Sequence, residues 1–159
     1  PYVHSYDQYL RTVLGLRLGA DALEQAWARC AFNVAIVNCD DHTKNLGFLM
    51  DRSGQWRLAP AYDTCFAHNP GEGKWTRWHQ MQVGGKKWDI SADDLLALAK
   101  TYDIRRARER LQQIREAVAR WPEFAATAGV GEAETQRIAT LQPGWVRLGE
   151  VGVSCKPSS

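Results

Sequence analysis

Two short polar segments contain the residues of this chain that are best suited to chemistry. The run Asn-Cys-Asp-Asp-His-Thr-Lys-Asn occupies residues 38–45, and the run Leu-Ala-Pro-Ala-Tyr-Asp occupies residues 58–63. They supply a carboxylate at Asp40, an amide five residues later at Asn45 and a second carboxylate at Asp63. Phosphoryl transfer from a magnesium nucleotide uses this set, because one Asp accepts the proton of the attacking hydroxyl while an Asn and another Asp hold the metal. The spacing therefore predicts phosphoryl transfer.

Each polar residue of this set has a predicted role. Asp40 would be the catalytic base, and a positioned base typically contributes about a hundredfold to ten-thousandfold to a rate. Asn45 and Asp63 would bind Mg²⁺ and with it ATP, since Mg²⁺ prefers oxygen ligands and completes its octahedron with phosphates and water. Lys44 would place positive charge on the transferred group. His42 would orient Asp40 or contact phosphate.

The polar run at 38–45 has two other interpretations. Asn, Asp and Thr are ordinary residues where a helix ends and the chain turns, so the run could be a plain capping loop. One His beside two Asp lacks the spacing of common zinc sites, which argues against a metal hydrolase. The ligands of such a hydrolase would be Asp40, Asp41, His42 and His79.

Helices should form most of the scaffold, and residues 40–45 should lie on a loop at the rim of the core. Apolar residues over 23–37 follow the three-four spacing of one helix face, so a buried helix should end near Asn38. Ser91 and Asp94 resemble a capping box that begins a shorter helix. Pro122 should end one helix, and Pro143-Gly144 should bend or split another. We predict five or six helices in all, the others lying over 6–14, 104–121 and 132–148.

The segment between the two polar runs breaks the helical pattern. Residues 47–50 and 55–58 flank the turn formers Asp-Arg-Ser-Gly at 51–54, which predicts a two-stranded hairpin. A second, weaker strand pair is expected between Trp78 and Trp88, around Gly84-Gly85. The predicted fold class is mainly α with a small β-hairpin.

Length, composition and charge indicate the number of domains and the classes of partner. The 159 residues, with 45% hydrophobic content and seven Trp, suit one domain, which we place at 1–150 and follow with a mobile tail at 151–159. The 20 Lys and Arg nearly balance the 18 Asp and Glu, so the overall charge does not call for a membrane or nucleic-acid partner.

No apolar run approaches the length of a membrane helix, which is about 20 residues. Four scattered Cys favour a reducing compartment, and the cytoplasm is the expected location. The chain begins with Pro1 rather than Met, so we expect it to be a piece of a longer protein.

Five separated motifs follow one another in a distinctive order. They are Asn33-Val34, the polar run at 38–45, Phe48-Leu49, the run at 58–63, and His-x-Met-x-Val-x-Gly-Lys at 79–86. Together they resemble the C-terminal kinase region of HipA-type toxin proteins, over roughly residues 5–128. Asn38-Cys39 replaces the His-Arg of most protein kinases, and Thr64-Cys65 replaces Phe-Gly, which suits the HipA-like branch rather than an ordinary eukaryotic-type kinase.

This resemblance implies a serine/threonine protein kinase of a toxin–antitoxin pair, with a helical lobe like the C-terminal lobe of a kinase. Asp40 would be its catalytic aspartate, and Asn45 and Asp63 its magnesium ligands. Its protein substrate would be a translation factor such as an aminoacyl-tRNA synthetase. A helix-turn-helix antitoxin would restrain it and make most of the DNA contact, so DNA would be met only indirectly.

One part of a kinase is missing from these residues. The Gly-rich phosphate loop and the strand lysine lie in an N-terminal lobe in this family, so we expect the 159 residues alone to be weakly active or inactive. The alternative is a binding module derived from a kinase, which would act by binding an antitoxin or another protein. The presence of Asp40, Asn45 and Asp63 together favours the enzyme.

Overall fold

The fold is organised around a central helix, α2 (Ala20–Ala35), whose apolar face lies in the core. The computed structural model describes residues 4–71 and 75–147. Trp27 and Cys30 are fully buried, and the Trp27 indole donates a 3.0 Å hydrogen bond to the Leu95 carbonyl. This bond satisfies the polar atom of a large core side chain, so α2 is fixed in orientation as well as buried.

Five further helices are present within the described residues, which confirms the mainly α fold class. The helices α1 and α4 pack directly against α2. In chain order the five are α1 (Tyr6–Gly15), α3 (Ala92–Thr101), α4 (Ala107–Ala119), α5 (Trp121–Thr127) and α6 (Glu132–Leu141).

Two of these helices begin with complete capping boxes. The Ser91 hydroxyl accepts from the backbone N–H of Asp94, and the Asp94 carboxylate accepts from the backbone N–H of Ser91, as the sequence predicted. Ser5 and Gln8 form the same arrangement at the start of α1. Each box satisfies two backbone donors that a helix start leaves free, and so fixes where the helix begins.

The predicted helix over 104–121 is shorter than expected. Ile104 precedes α4, and Arg120 separates α4 from α5. Pro122 lies in the first turn of α5, where its missing N–H costs nothing, so this proline begins a helix as well as ending one. α6 ends at Leu141 because Gln142, which precedes a proline, is extended at φ −60° and ψ 142°.

The predicted hairpin is present. Strand β2 (Phe48–Met50) pairs antiparallel with β3 (Trp56–Leu58), and Phe48 lies opposite Leu58. The turn is closed by the Asp51 carboxylate, which accepts from the backbone N–H of Ser53 at 2.8 Å and of Gln55 at 3.0 Å. Asp and Ser are therefore turn formers here for an identifiable reason.

The second strand pair differs from the prediction. Val83 and Lys86 form an antiparallel bridge around Gly84-Gly85, but the adjacent strand β4 (Met81–Gln82) pairs in parallel with β1 (His4–Ser5). The pairing partner of β4 is therefore β1, at the start of the described chain, and not a second strand from the segment 78–88.

Three features bear on the remaining predictions. Among the described helices, none has both the length and the apolar character needed to cross a bilayer. Cys30, Cys39 and Cys65 are free thiols. The predicted tail at 151–159 lies outside the described residues, and the domain boundary at residue 150 stays a prediction.

Candidate active site

The polar run at 38–45 begins where α2 ends. Val37 has a φ of 58°, in the left-handed region, and it turns the chain out of the helix. A β-branched residue rarely adopts this conformation, which costs about 1–2 kcal/mol. The Asn38 N–H donates a 2.9 Å hydrogen bond back to the Asn33 carbonyl and holds the turn in place. The strained residue therefore sits directly before the candidate catalytic loop, where strain is commonly found.

The segment that follows Asp63 is paired with this loop. The Cys39 N–H donates to the Ala67 carbonyl at 2.9 Å, and the Ala67 N–H donates to the Val37 carbonyl at 3.2 Å. These two bonds join the start of the first polar run to Ala67, which follows the second polar run. They bring Asp40 and Asp63 to the same edge of the core.

Asn45 is held by a short 3₁₀ helix (Thr43–Asn45). The His42 N–H donates to the Asp40 carbonyl at 2.9 Å, and the Asn45 N–H donates to the His42 carbonyl at 3.0 Å. This tight winding turns the Asn45 side chain back toward Asp40. Its Nδ2 donates to the Asp40 carbonyl at 3.3 Å and to Asp63 Oδ2 at 2.7 Å.

The Cys65 thiol lies close enough to both carboxylates for their charges to act on it. Partial burial raises the pKa of its thiol, and the negative charges of Asp63 and Asp40 raise it further. Asp63 itself has a φ of 53°, a conformation that Asp tolerates better than most residues. The structure therefore brings Asp40, Asn45 and Asp63 together, while their chemical roles stay predictions.

Several oxygens of this group are available to a ligand. Neither carboxylate oxygen of Asp40 accepts a hydrogen bond from the residues that the structure describes, and the same holds for Asn45 Oδ1 and Asp63 Oδ1. Asp40 is half-buried and Asp63 is exposed. Carboxylate and amide oxygens are the donors that Mg²⁺ prefers, so Asn45 and Asp63 fit this ion chemically.

An open groove of about 580 Å³ adjoins the candidate ligands. Residues of α2, Ile114 of α4 and the segment 60–64 line this groove. Asn45, Tyr62 and Asp63 are among its lining residues. A mostly apolar cleft with a few convergent polar groups is typical of a ligand site.

Tyr62 and Gly47 hold the Asp63 segment against the 3₁₀ helix. The Tyr62 hydroxyl donates a 2.6 Å hydrogen bond to the Lys44 carbonyl, and the Ala59 N–H donates to the Gly47 carbonyl at 3.0 Å. A Cβ on Gly47 would lie 3.1 Å from the Ala59 Cβ and 3.2 Å from the Tyr62 hydroxyl. Glycine thus permits the close approach of the two segments.

The structure does not bring His42 and Lys44 into contact with the carboxylates. Lys44 is exposed, and its ammonium forms no ion pair within the described part of the chain. His42 Nδ1 is buried and has no hydrogen-bond partner in that part either. Among the described residues, no side-chain hydrogen bond supports the expectation that His42 orients Asp40.

Asp41 has a structural position that the sequence analysis did not identify. It is 2% exposed, and its carboxylate accepts hydrogen bonds from the Tyr6 hydroxyl at 2.9 Å and the Gln80 N–H at 2.8 Å. His79 Nδ1 lies 3.1 Å from the same carboxylate. The local signal was that Asp41 is a second Asp directly after the catalytic candidate. Its partners Tyr6 and His79 lie far away in the chain, so local spacing could not reveal these contacts.

The metal hydrolase alternative finds little support. Asp41 and His79 do lie together, but the Asp41 oxygens are already occupied by donors. Among the described residues, no group of three or more His, Cys, Asp and Glu side chains is placed to hold a metal ion.

Comparison with known proteins gives one match. Residues 1–121 match the family model for the HipA-like C-terminal domain, and this stretch contains all the candidate site residues. No curated protein and no solved structure matches the chain. Because the matched stretch covers most of the sequence and the loops of the site, the chain belongs to the HipA-like C-terminal domain family.

Proposed function

We propose that this chain is the catalytic region of an ATP-dependent serine/threonine protein kinase of a toxin–antitoxin system. The observation that carries the proposal is the position of Asn45, whose amide donates to both the Asp40 carbonyl and the Asp63 carboxylate. The family match supports the same function. The substrate in this proposal is a translation protein such as an aminoacyl-tRNA synthetase.

Asp40 is the base in this proposal. Its carboxylate is half-buried, is carried on a loop fixed to the core, and accepts no hydrogen bond from the described residues. A substrate hydroxyl that donates to it would lose its proton as the oxygen bonds to the γ-phosphorus and the bond to ADP breaks. A carboxylate that accepts no hydrogen bond from the protein is free to accept the proton of the substrate hydroxyl.

Asn45 and Asp63 hold Mg²⁺ in this proposal. The bound ion supplies positive charge that offsets the charge of the phosphates. The hydrogen bond between the two side chains holds them together and leaves Asn45 Oδ1 and Asp63 Oδ1 for the ion. Lys44, exposed and without an ion pair among the described residues, supplies a further positive charge in this proposal.

The proposed restraining partner is a helix-turn-helix antitoxin in the cytoplasm, and DNA is met only through it. Co-expression of the full-length protein with such a partner should give a complex with reduced phosphoryl transfer. If the copurified partner does not change the rate, the kinase proposal stands and the proposed antitoxin role of the partner is refuted.

A second candidate function is a binding module without catalysis. One observation favours it: Trp75, Trp78 and Trp88 are 73%, 43% and 36% exposed, and Arg77 stacks over the Trp78 ring. Exposed Trp and Arg side chains are typical of protein interfaces.

Thermal unfolding of the full-length protein with ATP and Mg²⁺ separates the two functions. The kinase predicts that ATP raises the melting temperature only when Mg²⁺ is present and that Asp63→Ala abolishes the rise. Asp40→Asn should keep the rise and lose phosphoryl transfer, because Asp40 acts on the substrate hydroxyl. Asp93→Asn, an exposed carboxylate in the first turn of α3, is the matched control. Absence of any nucleotide effect in the unmodified protein would favour the binding module.

A further inference from the structure

A chain of buried hydrogen bonds connects the loop of Asp40 to the segment of Asp63. It consists of Asp41, Tyr6, Asn33 and Asn38, which we name the buried relay. Tyr6 and Asn38 are each 1% exposed, Asp41 is 2% exposed and Asn33 is 8% exposed. Buried polar side chains are uncommon unless they are paired, so four in one series call for an explanation.

The links of the buried relay are continuous. The Tyr6 hydroxyl donates to Asp41 Oδ2 at 2.9 Å and accepts from Asn33 Nδ2 at 3.0 Å. Asn33 Oδ1 accepts from Asn38 Nδ2 at 3.1 Å, and the same amide donates to the Asp63 carbonyl at 3.1 Å. The series thus starts one residue after Asp40 and ends on the backbone of Asp63.

We propose that the residues of the buried relay are positioning residues, which set the distance between the catalytic carboxylate at 40 and the metal-binding carboxylate at 63. The inference rests on the proposed phosphoryl transfer and assigns that reaction residues that the sequence did not reveal. Asp41 anchors the near end, because its carboxylate also accepts from the Gln80 and Met81 N–H groups of the β4 region.

Asn38 forms the far end of the relay. Its amide nitrogen donates twice, to Asn33 Oδ1 at 3.1 Å and to the Asp63 carbonyl at 3.1 Å. An apolar residue at position 38 would remove both bonds, and with them this connection between the relay and the Asp63 segment.

The phenol at the centre stays a donor over the physiological pH range. Burial raises the pKa of Tyr6 well above its usual value, and the Asp41 charge raises it further. The Tyr6 hydroxyl therefore stays protonated in that range and able to donate to Asp41.

Tyr6→Phe is the sharpest test, because it deletes one oxygen and both of the central bonds. Tyr9→Phe is the matched control: Tyr9 lies on the same helix, is 4% exposed and is outside the buried relay. In the full-length protein, Tyr6→Phe should raise the Mg²⁺ concentration needed for half of the ATP-induced thermal shift about tenfold, the size typical of lost outer-shell support. Tyr9→Phe should leave that concentration unchanged. A fall in melting temperature alone, with equal Mg²⁺ requirements in both variants, would make the relay merely structural.

A second measurement needs no nucleotide. The amides of Cys39 and Ala67 join the two segments by hydrogen bonds, so their exchange with deuterium reports how firmly the segments are held. Tyr6→Phe should speed their exchange about tenfold relative to Tyr9→Phe, roughly the value of one buried hydrogen bond. The amide of Leu98 in α3 should change equally little in both variants. Equal exchange at Cys39 and Ala67 in the two variants would overturn the relay even if the protein proves to be a kinase. Faster exchange at Cys39 and Ala67 in Tyr6→Phe, in a protein whose melting temperature does not respond to Mg²⁺ and ATP, would support the relay as a link between the two segments and refute the proposed function.

Discussion

The Asn45 amide donates a 2.7 Å hydrogen bond to the Asp63 carboxylate across the β2–β3 hairpin. The two residues are 18 positions apart, and the antiparallel strands bring the ends of their segments together. The same amide reaches the Asp40 carbonyl at 3.3 Å. The site is therefore assembled by one side chain that touches both polar runs.

Replacement of Asn45 by Asp tests this relationship directly. A second carboxylate within hydrogen-bond distance of Asp63 would repel it, so we expect Asn45→Asp to be less stable than the unmodified protein without a divalent cation. Added Mg²⁺ should raise the melting temperature of Asn45→Asp more than that of the unmodified protein. The measurement is thermal unfolding over a Mg²⁺ series. Equal shifts in both proteins would show that these two side chains do not share a cation.

The core should be sensitive to loss of volume around α2. Leu95 is fully buried against this helix, so Leu95→Ala should lower the free energy of unfolding by about 2–5 kcal/mol. Leu49, which is 39% exposed on β2, is the control, and Leu49→Ala should change stability by less than about 1 kcal/mol. Urea unfolding monitored by Trp fluorescence measures both. Similar losses in the two variants would contradict the placement of the core.

The ion pairs of Glu24 should make stability depend on pH. Hydrogen bonds from Arg106 and then Arg110 lower the pKa of Glu24 below its usual 4.5. A carboxyl with a depressed pKa contributes stability above its unfolded pKa and loses it as pH falls through the folded value. The difference in melting temperature between Glu24→Gln and the unmodified protein should thus be present at pH 7 and shrink below about pH 4.5. A difference that is constant with pH would contradict this assignment.

The cysteines should differ in reactivity. Cys65 is exposed, although partial burial and the charges of Asp63 and Asp40 raise the pKa of its thiol. Cys39 and Cys30 are buried, and burial raises the pKa of Cys39 to about 12 and that of Cys30 well above its usual value. Because the thiolate is the reactive form, iodoacetamide at pH 8 should modify Cys65 and leave the two buried thiols intact until the protein unfolds.

Site-by-site mass spectrometry of the alkylated full-length protein follows this reaction. Mg²⁺ with ATP should slow the modification of Cys65, since the proposed ligands lie beside it. Unchanged modification of Cys65 under saturating Mg²⁺ and ATP would place the nucleotide elsewhere.

Local signals predicted much of this fold. The capping box at Ser91 and Asp94, the hairpin around 51–54 and the buried face of α2 each depend on residues close in sequence, and each is present. The convergence of Asn45 and Asp63 followed from the hairpin between them. Patterns within a few turns of helix or one strand pair are readable because their partners are neighbours.

Long-range partners could not be predicted in this way. The bond from Tyr6 to Asp41 joins residues 35 positions apart, and in the pairing of β1 with β4 His4 lies opposite Met81. Nothing in the spacing of Tyr6 distinguishes it from an ordinary core aromatic residue. The helix α5 was missed for a different reason, because Pro122 was expected only to end a helix and it lies in the first turn of the next one.

The central claim is that Asn45 and Asp63 bind one cation beside Asp40. Its most direct test is a crystal structure of the full-length protein with Mn²⁺ in place of Mg²⁺ and a non-hydrolysable ATP analogue, with Mn²⁺ located by anomalous scattering. We predict one Mn²⁺ at about 2.0–2.3 Å from Asn45 Oδ1 and from an Asp63 carboxylate oxygen, with the γ-phosphate facing Asp40. A nucleotide-bound cation with neither side chain among its ligands would contradict the claim.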